Sequence, residues 1–170
     1  MRITPVRFSA LTFIGVLLIT ALQMASYHPR LPEKLATHFD AAGRANGWMS
    51  KDGFFVFHLV LLGVFGAVFG LLPRWLGRIP NSLINLPHKD YWLAPERRAA
   101  SLADVADAMA FLGALTLVFF AIIGELTLRA NLLPKPRLGG EIWWLLGGYG
   151  VVLLVWIIRL LRRFPRLPVE

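Results

Sequence analysis

The chain has 170 residues, 56% of them hydrophobic and only 16% charged, with a mean hydropathy of +0.60. That is more apolar material than a soluble core of this size can bury, so the composition excludes an ordinary soluble domain and indicates a membrane protein. Eighteen Lys and Arg against 10 Asp and Glu leave a net charge of +8, which in a membrane protein sets orientation and meets anionic headgroups, so nucleic acid is not expected as a partner.

A spanning helix needs about 20 apolar residues, because the hydrocarbon layer is about 30 Å thick and a helix rises about 1.5 Å per residue. The first such run, 8–27, contains no Asp, Glu, Lys or Arg, and Ser9, Thr12, Thr20 and Gln23 share one of its faces. Arg2 and Arg7 before it and Ala25 near its end also fit a signal peptide. Its length exceeds the roughly 7–15 residues of a signal core, which favours a span. The loop 28–52 follows. Pro29 and Pro32 stiffen its start, 35–40 suits an extended segment, Gly43 and Asn46-Gly47 signal turns, and Trp48 is an apolar anchor at headgroup level. A small hairpin-like cap is expected there.

The second span, 53–72, holds His58 and the small-residue pairs Gly63/Ala67 and Gly66/Gly70, which would allow close helix approach. In the connection 73–107, Tyr91, Trp92 and Leu93 suit a membrane interface, while Pro95, Glu96 and Arg97 suit a helix start running into the third span. Asp90, Tyr91, Trp92, Glu96 and Arg97 are candidates for contacts with anionic lipid in this loop. In the third span, 108–128, Glu125 is the one charged residue; Ala110, Ala114, Ala121 and Glu125 fall on one face, with Asp107 on the same side. Glu125 should therefore point into the bundle. The fourth span, 142–158, is flanked by Trp143, Trp144 and Trp156, carries Gly147, Gly148 and Gly150, and ends where Arg159 can snorkel.

These elements give an all-α membrane protein: one domain, 1–170, with four transmembrane helices in a bundle and a small extracytoplasmic loop cap. With both termini cytoplasmic, 11 basic residues lie inside and 7 outside, the direction that the positive-inside bias requires.

Ionisable groups within a membrane are candidates for function. His58 and Glu125 lie near the outer ends of their helices at similar depth, and His38 and Asp40 belong to the loop that folds over that end. Together they offer the His/His/carboxylate ligand types of a zinc site, with His38, His58 and Glu125 the candidate metal ligands. The structural alternative pairs Glu125 with His58 or Arg129. Zero Cys excludes disulfides and thiolate sites. No metalloprotease, nucleophile-elbow or phosphate-loop motif occurs, so neither catalysis nor a cofactor is expected.

The run Leu31-Pro32, Thr37-His38-Phe39-Asp40, Gly43, Gly47-Trp48, Ser50-Lys51 resembles the N-terminal domain of unknown function in the SdpI-type bacterial immunity protein family. The run from Asn85 to Arg97 is similar to the cytoplasmic loop of small bacterial membrane proteins with that domain. The resemblance implies a multi-pass bacterial inner-membrane protein and, in the best-known relatives, resistance to an antimicrobial peptide and capture of a repressor at the membrane. This sequence does not include the helices forming those relatives' C-terminal half. The leading expectation is a non-catalytic protein that binds or senses a ligand or peptide at its outer loop through His38, Asp40, Trp48, Lys51, His58 and Glu125. Alternatives are an accessory subunit of a larger membrane complex and a small transporter or metal-binding protein. The bilayer, a peptide ligand or larger complex, and a second copy of the chain are the partners to consider.

Overall fold

The computed structural model describes the backbone of residues 5–164 and the side chains of residues 11–164, so the expectations resting on Arg2, Arg7, Ser9 and Arg166 lie outside the described residues. Among the described residues, four helices are long and apolar enough to cross a membrane. They are α1 (Pro5–Tyr27), α2 (Lys51–Trp75), α4 (Pro95–Ala130) and α5 (Glu141–Arg163), with a single turn of helix, α3 (Lys89–Trp92), before α4. Between α1 and α2 stands the expected cap, an antiparallel hairpin of β1 (Lys34–Phe39) and β2 (Ala45–Ser50). The chain is a multi-pass, all-α membrane protein, and this hairpin is the one sheet among the described residues.

Every spanning helix outruns the apolar stretch that announces it. The apolar run fixes where hydrocarbon is met, whereas the helix continues through any residue with adequate propensity until a breaker or cap. On α5 the extra residues are the turn ending in Arg162 and Arg163. On α4 they are the 13 residues from Pro95 to Asp107, and Pro95 at the first helical position starts the helix as expected.

α1, α2 and α4 form the packed core. Val16, Leu62 and Leu117 are buried at its centre, with Phe13, Leu17, Phe65, Phe120 and Ala121 around them. Ala110 and Ala114 are buried as their shared face predicts. Outward faces stay apolar, with Leu11, Ile14, Leu18 and Leu22 on α1 and Val56, Val60 and Val64 on α2 exposed. Such faces suit lipid contact.

The glycines require a correction. Gly66 receives the Phe13 ring and Gly113 the Phe69 side chain, but a side chain added at Gly63, Gly70, Gly147, Gly148 or Gly150 would meet nothing within 4 Å. The close contacts are thus aromatic rings seated on single glycines, and neither small-residue pair on α2 forms a helix–helix seam.

α5 lies along α4, and none of its residues is buried. Three contacts fix its antiparallel register. Tyr149 stacks on Phe119 with its hydroxyl 3.0 Å from Thr116 Oγ1, Trp156 Nε1 donates to the Ala108 carbonyl at 2.9 Å, and Arg163 pairs with Asp104.

The hairpin meets the α4–α5 connection through a bridge between Arg44 and Arg137, so both lie at one end of the bundle. The α2–α4 connection forms the other end, where Leu86, Leu93, Leu102 and Phe164 are buried with Trp92 packed against them.

Candidate functional site

The hairpin is built by its turn. The Asp40 carboxylate accepts the backbone N–H of Ala42 (2.9 Å) and Arg44 (2.8 Å) and pairs with Arg44 Nε at 2.7 Å. The Arg44 backbone N–H foremost, then its side chain, hold the Asp40 carboxyl below its usual range. Gly43 closes the turn at φ +75°, a left-handed conformation in which a side chain would run into the Leu138 carbonyl. Leu138 N–H donates to the Gly43 carbonyl at 2.9 Å, tying the turn to the α4–α5 connection.

Docking onto the helices rests on Asn131, directly after α4. Its side chain accepts the Ala36 N–H at 2.7 Å and donates to the carbonyls of Ala36 and Thr127, each at 2.8 Å. Ala36 thereby satisfies both of its backbone groups on α4, as it would on a third strand. Leu31, Leu35, Phe54 and Leu128 form the apolar layer beneath. Lys51 is buried with its ammonium 3.0 Å from Glu33 Oε1, and Ser50 caps α2 by accepting Gly53 N–H.

A cleft of about 440 Å³ separates the hairpin turn from the α4–α5 connection. Asp40 and Gly43 form one wall, Arg137 the opposite rim, and Leu133, Ile142 and Trp143 the apolar part.

Deeper, Glu125 Oε1 accepts the Tyr27 hydroxyl and Arg129 Nε, both at 2.6 Å, while Oε2 is buried with no hydrogen-bond partner among the described residues. Pairing with Arg129 was one expectation, and Tyr27 completes the set. Glu125 and Gln23 close the end of a groove of about 240 Å³ between α1 and α4 that is otherwise apolar. His58 is buried at 4% exposure, stacks on Phe54 at 5.6 Å and lies over Gly124, with Nε2 making no hydrogen bond among the described residues.

The sequence candidates therefore divide. His58 lies against Gly124, the residue before Glu125, but His58 and Glu125 make no hydrogen bond or ion pair with each other. His38 is exposed, set against Gly47 across the hairpin and 3.3 Å from Thr37 Oγ1, and Asp40 is engaged by its own turn. Among the described residues no group of three His, Asp or Glu side chains could hold a metal ion. This corrects the zinc expectation for His38, His58 and Glu125. Asn131 and the Leu35 layer fix the hairpin so that His38 lies on its outer side. Trp48 stands out from the hairpin at 54% exposure, as an interfacial anchor would. Lys51 is a buried pin rather than an open cation.

At the opposite end, Arg97 lies 3.9 Å over the Tyr91 ring, donates to the Tyr91 carbonyl and pairs with Glu96 at 2.7 Å. Trp92 packs edge-on against Tyr91 and Phe164, its Nε1 buried with no hydrogen-bond partner among the described residues, and Asp90 is exposed. These residues mainly hold the loop together.

Residues 14–64 match the model of a family described as Domain of unknown function (DUF1648). The match covers most of α1, the whole hairpin and the first half of α2, and stops before α4. No curated protein and no solved structure matches the chain.

Proposed function

We propose that this protein is a non-catalytic member of the bacterial inner membrane, with both termini cytoplasmic, that binds a peptide or small ligand at its hairpin end. The observation that carries the reading is the cleft between the turn at Asp40–Gly43 and the segment from Leu133 to Trp143. Its walls come from distant parts of the chain, and it combines an apolar part with a charged rim, the usual composition of a ligand site. The turn is held rigid by Asp40, Arg44 and Leu138, so binding there meets a preformed surface. The resemblance to SdpI-type immunity proteins makes a membrane-active peptide the favoured ligand class, and the basic-residue bias supports the orientation.

The test is survival of a sensitive bacterial host expressing the chain when challenged with membrane-active antimicrobial peptides. Protection by the wild type, lost in Trp143→Ala and Arg137→Ala at unchanged abundance, supports the reading. Equal survival with and without the chain refutes it. The accessory-subunit alternative then takes precedence, favoured by α5, which buries none of its residues; a stoichiometric partner retained in mild detergent would raise the measured mass.

A further inference from the structure

A second cleft, of about 380 Å³, opens between α4 and α5 at the end opposite the hairpin. Phe111, Val152 and Val155 give it apolar walls, and Asp107 and Arg159 stand among its polar lining residues. The antiparallel register sets their relative height. Trp156 is tied to Ala108 and Arg163 to Asp104, so Arg159, between those two on α5, is level with the stretch of α4 that contains Asp107. The apolar runs of both helices end at this level, at Ala108 on α4 and at Ile158 on α5. The cleft therefore straddles hydrocarbon and headgroup layers.

Its charges are unevenly used. Asp104 is paired with Arg163, whereas Asp107 and Arg159 make no hydrogen bond or ion pair among the described residues. One free carboxylate and one free guanidinium, at one height above an apolar groove, complement a zwitterion with a hydrocarbon tail.

We propose that this cleft is a binding site for a phospholipid bearing a primary ammonium, of the phosphatidylethanolamine type. Arg159 takes the phosphate, with the planar donor geometry that suits phosphate oxygens. Asp107 takes the ammonium, and one acyl chain lies along Phe111, Val152 and Val155. A choline headgroup carries the same charge but no N–H to donate to Asp107. A glycerol headgroup leaves Asp107 facing a net anion without a cation of its own. The site is separate from the hairpin cleft and does not depend on its role.

The test uses the full chain in mild detergent, titrated with palmitoyl-oleoyl phosphatidylethanolamine, phosphatidylcholine or phosphatidylglycerol, with bound lipid counted by native mass spectrometry. The ethanolamine lipid should be held about tenfold more tightly than the other two, the difference one charge-assisted hydrogen bond supplies. Asp107→Asn should bring it to the level of the choline lipid and Asp107→Glu should restore the preference. Arg159→Gln should weaken all three. Neither side chain carries a bond in the fold, so these variants keep their structure, which unchanged thermal unfolding verifies. Equal retention of the three lipids, tightest retention of the glycerol lipid, or an ethanolamine preference that survives Asp107→Asn would overturn the proposal.

Discussion

Replacing Asn131 by Ala tests how the hairpin is held. Its side chain is the described partner of the Ala36 N–H and also donates to the Ala36 carbonyl, both in a buried environment. The Thr127 carbonyl keeps the Asn131 backbone N–H at 3.2 Å, so its loss is smaller. Each buried backbone group left unpaired costs about 1–3 kcal/mol, and two such groups, partly relieved by water at the bundle end, give about 2–4 kcal/mol. If the hairpin opens locally from the helices, that range lowers amide protection over residues 34–39 by about 30- to 1,000-fold. Hydrogen exchange with mass spectrometry on the detergent-solubilised protein reads this directly, with peptides from α2 as the internal reference. Asn131→Asp should fall between, because a carboxylate still accepts the Ala36 N–H but faces the Ala36 carbonyl with no proton to give. Wild-type protection over 34–39 in Asn131→Ala would refute the reasoning and assign hairpin docking to the Leu31, Leu35, Phe54 and Leu128 layer alone.

Gly124→Ala places a Cβ 2.6 Å from His58 Nε2 and should destabilise by about 1–3 kcal/mol as overpacking; His58→Ala in the same chain should recover part of it, seen as non-additive thermal midpoints. Gly43→Ala forces a left-handed residue against the Leu138 carbonyl and should cost about 1–3 kcal/mol, read as faster exchange over both the turn and the α4–α5 connection. Asp40 has a depressed pKa, so its contribution to the turn is complete above the ordinary carboxylate value of 3.8 and is lost as pH falls through the lower folded value. Local exchange at residues 40–44, corrected for intrinsic rate, should be constant from pH 8 to about pH 5 and rise only below about pH 4, and Asp40→Asn should abolish that step.

The spans were legible because hydrocarbon imposes a length and a composition that few other constraints mimic. The hairpin was legible from Gly43, since turn chemistry is local, but Asn46-Gly47, expected as a second turn, lies inside β2, where Gly47 sits opposite His38 at an irregularity of the ladder. Pro95 likewise marked the start of α4. What escaped the sequence depends on which side chain meets which across the fold. Gly113 and Gly124 accept Phe69 and His58, but nothing local separates them from Gly147 and Gly148, which meet nothing. Nothing in the sequence singles out Asn131, and only tertiary proximity turns its amide toward Ala36. Lys51 counted as a ligand contact of the outer loop, yet Glu33 and the His28 carbonyl, 3.0 and 3.5 Å away, draw it into a buried position. The zinc expectation failed for the same reason, because ligand types were present but the hairpin's docking side was not encoded in spacing.

α4 explains why both ends of the bundle carry irregular backbone without loose ends. At about 1.5 Å per residue its 36 residues rise about 54 Å, of which a hydrocarbon layer takes about 30 Å. The surplus lies mainly in Pro95–Asp107, which carries Glu96, Arg97, Arg98, Asp104 and Asp107 and therefore belongs outside the apolar layer. The α2–α4 connection folds on this extension through Leu93 and Leu102. Its backbone is satisfied there by Arg98, which donates to the Gly77 and Ile79 carbonyls and to Asn81 Oδ1 at 2.8–3.0 Å. At the other end Asn131 does the corresponding work for Ala36. In each case one planar polar side chain of α4 or its cap reaches several groups of a neighbouring segment, so the carbonyls of a turn or the outer edge of a strand need neither a further strand nor lipid-exposed polar backbone.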